Sequence, residues 1–226
     1  MTPMRRSSYT VFIVFLFFAS VLSLGTAAVS FVDAATEEVS AAYDRGFEAG
    51  VDSVPVVEDD TAKRSHVPLY LQTDPQWAGD SYSTGTIESH GCGLVSAAIA
   101  TTYLTGERVT PDLLSKYAGD AFLSGSLNDS DLICRWLSEH YGFKWSGEKW
   151  YFEDAVKMLD EGYVVIAAMG GQLGEENYGG HIVLLYEHTD DDCFYLRDPF
   201  SGNNSVHKFS RQEIEQADWG SFNGLC

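Results

Sequence analysis

Basic residues are scarce in this chain of 226: 14 lysines and arginines stand against 33 aspartates and glutamates, a formal net charge of −19. A surface so short of cations excludes a broad face for DNA or RNA phosphates or for an anionic membrane, so no nucleic-acid partner is expected. Cysteine is sparse too. The four, Cys92, Cys134, Cys193 and Cys226, form no CxxC pair, which excludes a zinc ribbon, a thioredoxin-like motif and a disulfide-built scaffold. HExxH is missing, no Cys/His grouping has metal-ligand spacing, and no internal repeat occurs; neither a metal nor another cofactor is expected. What the chain does have is material for a core, 45% hydrophobic and 13% aromatic residues, in a length that suits one ordinary domain plus a targeting segment.

Only one long uncharged apolar run is present, Val11 to Leu24. Arg5 and Arg6 precede it, and Ala27, Ala28, Ala34 and Ala35 follow. Basic, then apolar, then small is the order of a secretion signal. Weakly apolar sequence continues to Val32, so a retained signal anchor over residues 11–32 is the alternative. Residues 1–34 therefore read as a signal peptide or signal anchor, and the remainder as secreted or tethered to the membrane by that segment alone. Residues 35–66 carry eight acidic residues against Arg45, Lys63 and Arg64 and few large apolar side chains, the composition of an acidic flexible spacer. From Val67 the aromatic density rises and stays high to Cys226, which marks a domain over 67–226. Export into an oxidising compartment permits disulfides; with one thiol kept for chemistry, Cys134, Cys193 and Cys226 can make at most one bridge.

Within that domain, Val95, Ala98, Ile99, Thr102 and Tyr103 recur at helical spacing after Gly91, with Cys92 at the N-terminus and Gly106 at the end. A second helix is predicted over 129–141, capped by Asn128 or Ser130, and a third over 152–161, closed by Gly162; Thr110-Pro111 starts another. The runs 163–169, 181–187, 193–198 and 205–209 then read as strands separated by Gly-rich or Asp-rich turns. Helices first and strands second indicate an α+β domain, N-terminal helices packed on a C-terminal antiparallel sheet.

Cys92 is the most informative residue. A thiol at a helix N-terminus faces unpaired backbone N–H groups and the positive end of the helix dipole, which favour thiolate. Gly91 and Gly93 on either side let a substrate carbonyl approach and leave the Cys92 amide to donate to an oxyanion. Singly, a cysteine of an exported protein is more often structural, but a second constellation lies downstream. His181 opens one strand and Asp198 closes the next. A hairpin around a tight turn at 189–190 sets 187 opposite 192 and 181 opposite 198, where Asp198 would orient the imidazole.

The succession VPLYLQTDPQW (67–77), HGCGLVSAAI (90–99), YLTGERVTP (103–111), LDEGYVVIAAM (159–169), GGHIVLLY (179–186) and LRDPFSG (196–202) resembles the papain-like cysteine peptidases related to the bacteriocin-processing, double-glycine-leader peptidases. The resemblance covers essentially all of 67–226. It implies a papain-like fold with Cys92 as nucleophile, His181 as general base and then acid, Asp198 as the orienting residue and Gln72 as side-chain donor of the oxyanion hole, with Gln76 a lesser candidate. Leu94 departs from the proline such proteins often carry after the Cys-Gly pair. No GxxxxGK[ST] phosphate loop occurs in the sequence, so the peptidase of a fused peptide-exporting transporter is not expected and cleavage after a double glycine is not implied.

The expected partner is a peptide or protein substrate, cleaved by an exported thiol hydrolase that needs no cofactor. A cell-wall peptidoglycan amidase or endopeptidase, and a non-catalytic binding domain on the same fold, are the alternatives. His90, two residues from Cys92, is expected at the cleft edge, and His66, His140, His188 and His207 as surface or structural residues. Asp190 to Asp192 read as solvated turn carboxylates or a weak calcium site. Trp77, Tyr82 and the loop Gly170–Gly180 are expected to line the cleft, and Asn128 and Asn203 start N-x-S sequons.

Overall fold

The computed structural model describes residues 65–226; the expected signal segment 1–34 and nearly all of the spacer 35–66 lie outside the described residues. A ribbon of β1 (Ser81–Tyr82) and β2 (Gly85–Thr86) leads to the short helix α1 (Ile87–His90), and through Gly91 to α2 (Cys92–Thr105). Helix α3 (Pro111–Ala118), a second ribbon of β3 (Leu123–Ser124) and β4 (Leu127–Asn128), and α4 (Ser130–Tyr141) follow. The C-terminal half contains β5 (Trp145–Lys149), α5 (Phe152–Asp160), β6 (Val164–Leu173), β7 (Glu176–His188), β8 (Cys193–Arg197), α6 (Gly202–Val206), β9 (Phe209–Ser210), α7 (Arg211–Ile214) and β10 (Asp218–Leu225). Among the described residues no helix is long and apolar enough to cross a membrane.

A six-stranded antiparallel sheet in the order β5-β10-β6-β7-β8-β9 carries the domain. Strands β6 and β7 alternate between two cores. Val164, Ile166, Ile182, Leu184 and Tyr186 pack with Leu94, Ile99, Ile133 and Leu137 of α2 and α4, whereas Val165, Ala167, Met169, Val183 and Leu185 pack with Ala155, Val156, Met158 and Leu159 of α5. A strand buried on both faces has no polar side, which is why both segments read as continuous apolar runs. Each Leu or Ile so buried contributes about 1.5–3 kcal/mol. Helices therefore cover both faces of the antiparallel sheet, α2 and α4 on one and α5 on the other, with β5 preceding α5 and two short helices interrupting the last strands.

Helix α2 runs through the middle of the first core. Leu94, Val95, Ala97, Ala98, Ile99 and Ala100 are all fully buried, and the small alanines let neighbouring elements approach closely. Ser96 Oγ donates to Ile182 O across 3.1 Å, fastening α2 to β7. Helix α4 is capped by Asp129, whose Oδ1 accepts from Asp131 N and Leu132 N at 3.0 and 3.1 Å; the expected caps, Asn128 and Ser130, lie one residue to either side.

Two strand expectations change. Residues 205–209 are not one strand: Ser201 caps α6, which runs to Val206, and only Phe209–Ser210 pair with β8. Strand β10 carries no β-like sequence, yet it pairs with both β5 and β6. Its polar residues are satisfied by tertiary contacts, with Asn223 accepting from Trp145 Nε1 at 3.0 Å and donating to Ser130 Oγ at 3.2 Å. Gly224 is required there, since a Cβ would lie 2.7 Å from Met158 Sδ.

Arg197 closes the start of the domain onto the sheet. Its guanidinium is buried and donates to the carbonyls of Val67, Pro68 and Ser205 and to Tyr186 Oη, so a charge taken out of water meets oxygen acceptors on several sides.

Candidate active site

Cys92 begins α2, half-buried at the edge of an open cleft of about 290 Å³ whose walls include His90, Leu127, Asn128, Met169, Gly180 and His181. The glycines flanking Cys92 are required by close packing. A Cβ on Gly91 would lie 2.3 Å from Ile87 O, and one on Gly93 would lie 2.6–2.7 Å from side-chain atoms of Asn128.

His181 lies in β7, opposite Met169 of β6. The β7–β8 connection is longer than the expected tight turn: Thr189 N donates to Cys193 O, Asp192 N to Thr189 O, and Asp192 adopts φ 57°, a three-residue loop closed by a left-handed residue. A bulge between Leu185 and Glu187 shifts the register again, so Leu184 faces Arg197. Asp198, one residue further, comes level with Val183 and not with His181. Because side chains alternate with a period of two, positions 183 and 181 share a face, and the diagonal pair meets: His181 Nε2 donates to Asp198 Oδ1 at 2.8 Å.

Asp198 is fully buried. Its Oδ1 also accepts from Phe200 N at 2.9 Å and Ser201 N at 3.2 Å, and its Oδ2 accepts from Tyr178 Oη at 2.7 Å and Asn204 Nδ2 at 2.9 Å. Burial acts to raise this carboxyl, but the bonds from His181, Tyr178 and Asn204 and the imidazole's charge outweigh it and hold it below the usual carboxylate range. At His181, burial works against the charged form, while hydrogen bonds with Asp198 and Cys92 and the negative charge on both push the imidazole up to about 9. With Nε2 held on Asp198, Nδ1 is the ring nitrogen left for Cys92. Tyr178 also stacks on the imidazole, ring centroids 4.1 Å apart and planes within 9°; burial and the Asp198 bond push its phenol well up, so it remains a donor.

The remaining expected residues are distributed as follows. Gln72 is buried outside the cleft lining; its N donates to Pro199 O at 2.7 Å, its Nε2 donates to Glu88 O, and its Oε1 has no partner. Gln76 is exposed, its N donating to Asp74 Oδ1. Trp77 and Tyr82 belong to the core and do not line the cleft; Trp77 Nε1 donates to Leu71 O, and Tyr82 Oη donates to Asn128 Oδ1 at 2.8 Å. The stretch 170–180 is a hairpin and not a loop, because β6 and β7 continue to the Leu173–Glu176 pair with Gly171 and Gly174 at positive φ; Gly180 alone of its glycines lines the cleft. His90 stands at the cleft edge as expected, its Nδ1 2.7 Å from Ser89 Oγ. His188 bridges Asp160 and Asp192, and His140 stacks on Trp136. Asp190, Asp191 and Asp192 are exposed, and the last two also pair with Lys208 and Arg211. Among the described residues no group of three or more His, Cys, Asp or Glu is arranged for a metal ion, and all four cysteines are unpaired.

Tyr178, Asn204 and Asn128 are site neighbours that the sequence reading did not single out for these roles. Asn128 Nδ2 donates to His90 O at 2.6 Å and lies 3.7 Å from Cys92 Sγ. The glycine directly after Cys92 is the one trace in the sequence of a side chain pressed against that turn.

The model of the family described as Peptidase_C39 like matches residues 64–226. Comparison with curated proteins finds no match. Among solved structures, the Salmonella effector SpvD, G161 variant, is 14% identical, with 78% of this chain and 83% of that chain covered and a TM-score of 0.38.

Proposed function

The chain belongs to the Peptidase_C39 like family, and from that premise we propose that it is an exported cysteine peptidase-like hydrolase with a papain-like fold, cleaving a peptide or amide bond through Cys92, His181 and Asp198. The observation that carries the reading is the buried imidazole of His181, held by Asp198 on one nitrogen and interacting with Cys92 at the N-terminus of α2 on the other side. The order of basic, apolar and small residues over 5–35 supports export.

The chemistry runs in two halves. In the reacting pair His181 holds the proton taken from Cys92, which leaves the negative charge on sulfur. Sγ attacks the substrate carbonyl carbon, a C–S bond forms, and the carbonyl electrons move to oxygen. The first-turn N–H of Cys92 donates to that oxyanion; Gln72 joins it by exchanging the Glu88 carbonyl for the oxyanion. As the tetrahedral species collapses, the C–N bond breaks and His181 gives its proton to the departing amine. Water, deprotonated by His181, then attacks the thioester, releasing the carboxylic acid and returning the sulfur to its anionic form. Asp198 keeps the ring oriented and its cation stabilised throughout.

The test is a cleavage screen of a peptide library and of purified peptidoglycan, with the wild type compared with Cys92→Ala. Products that appear only with the wild type support the hydrolase; release of stem peptides from peptidoglycan alone identifies a cell-wall substrate. Equal inactivity of both proteins across all substrates overturns the catalytic reading in favour of a binding domain.

A further inference from the structure

An amide side chain has a donor end and an acceptor end, and at Asn128 both are fixed from outside. Tyr82 is 4% exposed, and burial, with the charge on Cys92, pushes its phenol well up, so its hydroxyl stays protonated and donates to Asn128 Oδ1 at 2.8 Å. The His90 carbonyl, which only accepts, takes one Nδ2 hydrogen at 2.6 Å. Turning the amide over would set its oxygen against the His90 carbonyl, acceptor against acceptor, and lose the bond that carbonyl now accepts. Nδ2 therefore faces the nucleophile, 3.7 Å from Cys92 Sγ, a length suited to an N–H···S contact. The side chain is also clamped in place, since the space a Cβ of Gly93 would need is filled by Asn128. Nor is Asn128 needed to start α4, which Asp129 caps.

Resting on the thiol-hydrolase reading above, we propose that Asn128, oriented by Tyr82, is a positioning residue that directs an N–H to the Cys92 sulfur and stabilises its anionic form. Without substrate, Gln72, the amide the sequence suggested for the oxyanion, has its Nε2 on Glu88 O outside the cleft lining; Asn128 is the amide in contact with the nucleophile. Its other service, tying β4 to the His90 carbonyl, is structural and would change stability alone, whereas support of a sulfur anion must change how Cys92 reactivity depends on pH.

Iodoacetamide alkylation of the full chain, followed from acid to alkaline pH by peptide-level mass spectrometry, separates the two. In Asn128→Ala, alkylation of Cys92 below neutral pH slows about tenfold and its pH profile moves to higher pH, the size of one hydrogen bond to a charged acceptor. Tyr82→Phe keeps Asn128 but releases its orientation, and shifts the profile in the same direction by a smaller factor, about two- to threefold. Cys134, 0% exposed, reports the fold in the same digest by staying unmodified. A Cys92 profile in Asn128→Ala that superimposes on the wild type, with Cys134 protected, overturns the proposal. Should Asn128→Ala expose Cys134, Tyr82→Phe decides, and an unshifted profile there overturns it equally. A wild-type Cys92 no more reactive at acidic pH than the exposed Cys226 overturns the thiol-hydrolase reading and the proposal with it; a reactive wild-type Cys92 whose profile ignores residue 128 overturns the proposal alone.

Discussion

Replacing Asp198 with asparagine keeps the shape of the side chain and removes the charge around which the site is organised. The carboxylate receives donors from His181, Tyr178, Asn204, Phe200 N and Ser201 N with no exposed surface. An asparagine offers one acceptor oxygen, so its NH2 must face either the imidazole N–H or the Tyr178 hydroxyl and Asn204 amide. One buried donor left against another costs about 1–3 kcal/mol, and at about 2–4 °C per kcal/mol for a domain of this size the melting temperature drops by roughly 2–12 °C. The larger consequence concerns His181. A hydrogen bond to a charged group is worth about 1.5–3 kcal/mol, and one pKa unit corresponds to about 1.4 kcal/mol. The imidazole, at about 9 in the native chain, therefore falls by roughly one to two units in the variant. A histidine proton-resonance titration of both proteins, run beside thermal melts, measures the two effects together. An unchanged imidazole midpoint, or one that rises, refutes the electrostatic reasoning; an unchanged melting temperature refutes the account of the carboxylate's hydrogen bonds.

Tyr178→Phe retains the ring stacked on His181 and removes the donor to Asp198 Oδ2; kcat is expected to fall about 3- to 10-fold with KM little changed, as befits the loss of one bond to a charged group, and steady-state kinetics against any cleaved peptide check it. Stability should depend on pH through the same pair. His181 has its pKa raised on folding, so its contribution is complete below the free imidazole value of about 6.5 and is lost as pH rises through the folded value. Asp198 has its pKa lowered, so its contribution is present above the free carboxylate value of about 3.9 and is lost as pH falls toward the lowered one. Thermal melts across pH should show both losses in the wild type, and His181→Gln should lack the alkaline one. Arg197→Met leaves the carbonyls of Val67, Pro68 and Ser205 without their shared donor and is expected to destabilise by about 1–3 kcal/mol for each carbonyl left unsatisfied, read as a lowered denaturant midpoint.

The order of the main helices was legible because their signals are local: Gly106, Pro111 and Gly162 punctuate apolar spacing, and tertiary structure merely uses what they prescribe. The pairing of His181 with Asp198 was legible for a different reason. The expected register missed by the bulge at Tyr186 and the three-residue loop at 190–192, yet the face is set by parity, and a net displacement of two leaves both side chains on one side. Strand β10 was opaque, since Gly220, Ser221, Asn223 and Gly224 have turn-like composition and become a strand only when Trp145, Ser130 and two neighbouring strands meet their polar groups. Tyr178 and Asn128 were opaque in the same way, since each meets a residue far along the chain, Asp198 and Cys92, and nothing local announces a hydrogen bond across the fold; Asn204 lies only six residues past Asp198, but its amide also donates to Leu173 O of β6.

Hydrolysis by this site requires the Cys92 sulfur, paired with His181, to take up an acyl group. Mixing the protein with an activated ester of an acylated amino acid, quenching in acid and locating the adduct by tandem mass spectrometry measures that step. A single acyl group in thioester linkage on Cys92 is expected, formed in the wild type and missing in Cys92→Ala, with formation strongly slowed in His181→Gln. No acyl group on Cys92, or equal labelling of Cys92 and the exposed Cys226, would contradict hydrolysis by this site.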